Sequence, residues 1–124
     1  MDQKPQAKTG VARVWAAFFY SLDGLRSAII NDAAFRQELC IVTLASIALF
    51  FLPLPGIWKG LLFFVTANVL VVELLNSAIE SIVDLASPQY HELAKRAKDL
   101  GSAAVLLSVV IAVIVWIFAI LLLY

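Results

Sequence analysis

The sequence predicts an all-α integral membrane protein, with an amphipathic surface helix at the N-terminal end followed by three transmembrane helices in one membrane domain over 1–124. Three observations predict it. Of the 124 residues, 63% are hydrophobic and 15% charged, against about 45–50% and about 25% in a soluble domain. A chain this short has too little interior to hide the excess. The apolar residues gather in runs long enough to cross a bilayer, which takes about 20 residues as helix. Within one of those runs, the polar residues fall on a single face.

Over about 10–30, Val11, Val14, Trp15, Phe18, Leu22, Leu25 and Ile29 recur at helical spacing, with Arg13, Tyr20, Ser21, Gly24 and Ser27 on other faces. A basic amphipathic stretch carrying Trp and Phe lies in a membrane interface. No sufficient apolar run with a small-residue cleavage site follows Lys8, so the segment is not read as a signal peptide. The first span is expected over about 33–52. Its apolar part, Leu39 to Leu52, is too short alone, so the helix starts near Ala33 and carries Arg36, Gln37 and Glu38 in its first turns. Pro53-Leu54-Pro55-Gly56 turns it into the second span, giving a helical hairpin. The second span, about 60–84, begins as GLLFFVTANVLVV and continues through Glu73, Asn76, Glu80 and Asp84. A polar loop is expected from Leu85 to Leu100, and the third span, about 101–123, holds no charge. Lys4, Lys8, Arg13, Arg26 and Arg36 precede the first span, and Lys95, Arg96 and Lys98 follow the second, whereas only Lys59 lies between them. That bias puts the N-terminus and the second loop in the cytoplasm and the C-terminus outside.

Several function classes drop out. Lys plus Arg (9) cancels Asp plus Glu (9), leaving no net basic field for nucleic acid. A single cysteine, Cys40, excludes an internal disulfide and a cysteine-based zinc site. Gly10, Gly24, Gly56, Gly60 and Gly101 are scattered and form neither a phosphate-binding loop nor a dinucleotide fingerprint.

Ionisable groups within a span cost about 2.5–3.5 kcal/mol each on insertion scales, so they mark function. At about 100° per residue, Glu73, Asn76, Glu80 and Asp84 fall within an arc of about 80° on one helix. Glu73 lies about 21 Å along the helix from Lys59, still inside a core about 30 Å thick. A helix that simply leaves the membrane after Leu75 would account for Asp84 and Glu80 but not for Glu73, which has apolar residues on both sides. Glu80 can hold a hard cation through oxygen. Glu73, partly desolvated, makes the better proton acceptor, and Asn76 between them can donate and accept. Asp32, Glu38 and Asp99 are the other acids placed at the inner face, Lys98 can neutralise phosphate, and Tyr90 and His91 sit in the loop. Three helices cannot enclose this many polar groups, so an oligomer is expected, with the stripe facing a neighbouring subunit.

The run Glu73-Leu74-Leu75-Asn76-Ser77-Ala78-Ile79-Glu80-Ser81-Ile82-Val83-Asp84 closely resembles the signature of the bacterial integral-membrane diacylglycerol kinases. The resemblance continues through Asn31–Glu38, Tyr90–Leu93 and Arg96–Ala103 and covers the chain after about Gly10. It implies transfer of the γ-phosphoryl group of MgATP to diacylglycerol, giving phosphatidic acid and ADP, by a homotrimer with shared active sites in the bacterial inner membrane. By position, it implies Glu73 as catalytic base with Asn76 beside it, and Asp32 and Glu80 as ligands of Mg2+. It implies Arg13, Tyr20, Asp32, Glu80, Gln89, Tyr90, His91, Lys98 and Asp99 as ATP contacts. On the lipid side it implies Arg13, Ser21, Arg26, Arg36, Gln37, Glu38, Glu73 and Ser102.

One position departs from the family, which usually has Glu where this chain has Asp32. The reach shortens by one methylene, about 1.5 Å, which implies weaker metal affinity or a surface helix drawn inward. The alternatives are an undecaprenol kinase with the same stripe, a small proton-coupled transporter, and a purely structural assembly factor. A transporter needs a two-sided pathway, whereas these polar groups all lie in the inner half. Phe35-Arg36-Gln37-Glu38 and the long amphipathic N-terminal stretch resemble the diacylglycerol branch rather than the undecaprenol one.

Overall fold

A computed structural model describes residues 3–124 and forms them into α1 (Gly10–Asn31), α2 (Ala33–Phe51), α3 (Gly56–Ala86) and α4 (Glu92–Leu121). The last three are long and apolar enough to cross a membrane. Their boundaries follow local chemistry. Gly10 enters α1 at φ +63°, a left-handed conformation that costs glycine nothing. Asp32 is the one residue between α1 and α2, and its extended backbone makes an elbow. Asp is a preferred N-cap, and here its side chain accepts from Phe35 N at 3.1 Å. Two helices therefore meet without a loop.

α2 ends where Leu52 turns extended ahead of Pro53. The turn is shorter than expected, because α3 starts at Gly56 rather than at residue 60. Trp58 N and Lys59 N both donate to Pro55 O, at 3.0 and 3.2 Å, so the proline that stops one helix starts the next. α3 has 31 residues, about 46 Å at 1.5 Å per residue. That overshoots a core about 30 Å thick, and the excess falls where the sequence turns polar.

The expected loop from Leu85 to Leu100 is mostly helix. Only residues 87–91 separate α3 from α4, which begins at Glu92, well before the expected start of the third span at 101. Low hydropathy hid a good helix start. His91 Nδ1 accepts from Leu93 N at 3.1 Å, Glu92 stands in the first turn, and Leu, Ala, Lys and Arg are strong helix formers.

The buried residues of α3 are Leu62, Thr66, Val69, Glu73 and Asn76, a spacing of four and three that runs as one seam. α4 meets it with Gly101, Ser108, Ala112 and Ala119, small side chains that let two backbones approach. α2 adds Phe35, Val42 and Leu49 at intervals of seven. At the Pro53 end, Leu49, Leu54, Leu62 and Ala119 form the tightest core, covered by Trp58, Val115 and Trp116. α1 buries only Ala28.

Candidate active site

The polar end of the bundle is built where the α1–α2 elbow meets the middle of α3. Glu73 is 5% and Asn76 8% exposed, which removes both from contact with solvent although one is a carboxylic acid. The Asp32 carboxyl, at the elbow, lies close enough to Glu73 on α3 for the two acids to interact. The Ser77 hydroxyl donates to Asp32 Oδ2, and Asn76 Nδ2 donates to Glu80 Oε1 at 3.4 Å. Burial pushes the Asp32 carboxyl up, but hydrogen bonds from Ser77 and from the backbone N–H groups of Phe35 and Ala34 outweigh it. The group is held below its ordinary value and stays a carboxylate.

Two buried oxygens in this region have no partner: Asn76 Oδ1 and Glu38 Oε2. Orphaned buried acceptors are rare because each costs about 1–3 kcal/mol, and both oxygens can still accept from a donor or a cation. Asn76 Oδ1 faces α4 at Gly101, where a Cβ would overlap it. Gly101 therefore lets the third spanning helix close over Asn76. Nothing in the local sequence signals this contact, which joins residues on two antiparallel helices.

The stripe read from the sequence divides in two. Glu73 and Asn76 are buried, whereas Glu80 and Asp84 are exposed. Asp84 Oδ1 accepts from Lys98 Nζ at 2.9 Å, and Asp99 Oδ2 accepts from Lys95 Nζ at 2.5 Å one turn away. Tyr90, Lys95, Arg96 and Asp99 line an open surface depression of about 830 Å3 with Glu92 and Leu93. Lys98 and Asp99 thus belong to the same end of the bundle as Glu73, but each is engaged with a neighbour of opposite charge.

The remaining candidates scatter. Arg13, Tyr20, Ser21 and Arg26 are exposed along α1, Gln37 and Ser102 are exposed on α2 and α4, and Gln89, Tyr90 and His91 lie in the exposed connection before α4. Ser21 Oγ donates to Ala17 O at 2.9 Å and Ser87 Oγ to Gln89 O at 2.9 Å, both local bonds. Arg36 is turned back on α1, where one guanidinium nitrogen donates to Ile29 O and Ile30 O, both at 3.0 Å. It thereby ties down the carbonyls that α1 leaves unsatisfied at its C-terminus. Among the described residues no group of three His, Cys, Asp or Glu side chains converges on one metal position.

The donor set nevertheless suits a hard divalent cation. Asp32, Glu38, Glu73 and Glu80 are carboxyl groups and Asn76 Oδ1 is a free amide oxygen, all of the ligand type taken by Mg2+. Behind them an apolar groove of about 650 Å3 runs between α2, α3 and α4, lined by Val42, Ala45, Val69, Ala112 and Trp116, with Glu38 as its charged member. The sequence reading missed this groove because its walls come from three helices.

Residues 19–120 match the family described as prokaryotic diacylglycerol kinase. A protein named diacylglycerol kinase from Escherichia coli (strain K12) is 50% identical over 108 residues, which cover 87% of this chain and 88% of that protein. One of the same name from Haemophilus influenzae is 41% identical over 108 residues, 87% of this chain and 92% of its own. A third, from Helicobacter pylori (strain ATCC 700392 / 26695), is 39% identical over 112 residues, 90% of this chain and 87% of its own.

Proposed function

The chain belongs to the prokaryotic diacylglycerol kinase family, and from that premise we propose how this bacterial membrane protein carries out its reaction. It is a lipid kinase and its acceptor is diacylglycerol. The proposed donor is ATP with Mg2+, the products are phosphatidic acid and ADP, and the working form is a homotrimer in the inner membrane. The N-terminus and the α3–α4 connection face the cytoplasm. α1 lies in the interface, since it buries one residue of 22 and exposes Trp15, Phe18 and Phe19.

The observation that carries the mechanism is the burial of Glu73 and Asn76 beside Asp32 at the polar end of an otherwise apolar seam. Glu73 is the base. The lipid hydroxyl oxygen attacks the γ-phosphorus, the bond to the bridging oxygen of ADP breaks, and the hydroxyl proton passes to the Glu73 carboxylate. Asp32 and Glu80, with Asn76 alongside, are the residues to hold Mg2+, which when bound neutralises phosphate charge. Lys98 exchanges its exposed partner Asp84 for phosphate oxygen. Asp99, Arg13, Tyr20, Gln89, Tyr90 and His91 make the remaining nucleotide contacts. Arg26, Ser21, Gln37, Glu38 and Ser102 border the lipid, together with Arg36.

Within one chain the donors are an incomplete set, which supports sites shared between subunits. If Glu73 and Lys98 act in different halves of a shared site, mixing Glu73→Gln with Lys98→Leu chains restores part of the activity. Absence of rescue places both in one chain. The reaction itself is tested with purified protein in mixed micelles, measuring magnesium- and ATP-dependent phosphorylation of diacylglycerol with undecaprenol as competitor. Phosphatidic acid is the expected product. Preferential phosphorylation of undecaprenol would overturn the acceptor.

A further inference from the structure

We propose that Ser77 is a positioning residue that acts through Asp32, fixing on α3 the carboxylate that the α1–α2 elbow presents. The inference rests on the proposed role of Asp32 as a metal ligand. Asp32 is a four-way junction. Its N–H donates to Ala28 O at 3.0 Å and closes α1, and its carbonyl accepts from Arg36 N at 3.2 Å and opens α2. Its Oδ1 accepts from Phe35 N at 3.1 Å, and its Oδ2 accepts from Ser77, 45 residues further along the chain.

The first three bonds stay within the elbow. They set the direction of the side chain but leave the elbow free to move relative to α3. The Ser77 hydroxyl joins the Asp32 carboxylate to the helix that carries Glu73, Asn76 and Glu80. An ionised carboxylate has about four lone-pair positions, so it keeps room for a cation after the N–H groups of Phe35 and Ala34 and the Ser77 hydroxyl are served. Ligands of metals are themselves held by hydrogen bonds, and removing such a support costs about 10–100-fold in metal affinity or activity. The short Asp side chain makes the arrangement possible, because the same carboxyl caps α2 and meets Ser77.

The test is Mn2+ binding, read by electron paramagnetic resonance, to the full-length protein in micelles without nucleotide. It compares wild type, Ser77→Ala, Ser77→Thr, Asp32→Asn and the double variant Asp32→Asn/Ser77→Ala. Asn is as good a cap as Asp, so the elbow survives in the Asp32 variant. Ser77→Ala is expected to weaken Mn2+ binding about tenfold or more. It should raise the metal concentration for half-maximal activity by the same factor while kcat at saturating metal holds. Ser77→Thr, which keeps the hydroxyl, restores binding, and the double variant is no weaker than Asp32→Asn alone. Wild-type binding in Ser77→Ala with loss in Asp32→Asn, or full additivity of the two losses, overturns the inference and spares Asp32 as a ligand. Wild-type binding in Asp32→Asn removes Asp32 from the metal and the inference with it.

Discussion

At the Pro53 end of the bundle, the seam of α3 turns Leu62 and Thr66 toward Ala119 and Trp116. The polar atoms there satisfy each other: Thr66 Oγ1 donates to Leu62 O at 2.6 Å and accepts from Trp116 Nε1 at 2.9 Å. At the other end, the same seam presents Glu73 and Asn76, with Asn76 Oδ1 buried and unpartnered. A seam completed by its own chain stabilises the fold. A seam left open at one oxygen costs about 1–3 kcal/mol, and in the proposed mechanism that oxygen serves the reaction. Stability and activity should therefore separate along a single helix.

The largest effect that sharpens this contrast comes from paired substitutions at its two ends. Glu73→Gln should lower kinase activity by about 10²–10⁴-fold while thermal unfolding in micelles stays where it was. Leu62→Ala, at a position with no exposure, should destabilise the fold by about 2–5 kcal/mol, and the folded fraction should keep its turnover. If Leu62→Ala lowers turnover at a temperature where the protein is fully folded, the two ends are coupled and the separation fails.

Gly101→Ala bridges the two behaviours. The new Cβ overlaps Asn76 Oδ1, so α4 or Asn76 must move, at a cost of about 1–3 kcal/mol. A misplacement of about 1 Å at a positioning group lowers turnover by about 100-fold. Gly24→Ala, with nothing within 4 Å, is the matched control, and there about 1 kcal/mol of helix propensity is gained instead. Equal turnover in the two variants would detach Gly101 from the site.

Thr66→Val removes the acceptor for Trp116 at the closed end. The expected loss is about 0.6–1.7 kcal/mol, the range for side-chain hydrogen bonds between membrane helices, with turnover unchanged. Asp84→Asn breaks the exposed pair with Lys98 and should change stability by less than about 1 kcal/mol, an effect that vanishes at high salt. A larger, salt-independent loss would make the pair part of the core.

The contrast also marks where reading the sequence succeeds. The three spanning helices were legible because hydropathy is a local property. Asp32 was placed among the site residues, yet its work as the cap between α1 and α2 was not read, although a capping residue ahead of an apolar run is a recognisable start signal. The helix from Glu92 was read as loop because charge masks helix propensity in a hydropathy scan. The stripe was read as one surface, but a helical wheel cannot tell Glu73 from Glu80, because it does not show which stretch of α3 the neighbouring helices cover. The contacts of Asn76 with Gly101 and of Asp32 with Ser77 depend on how the helices cross, which no spacing within a single helix encodes.

The measurement that most directly tests the account compares wild type and Glu73→Gln for phosphatidic acid formation from diacylglycerol, ATP and magnesium, alongside their unfolding in the same micelles. Loss of product with an unchanged unfolding transition is the predicted result. Wild-type turnover by Glu73→Gln would contradict the assignment of the buried carboxylate as base.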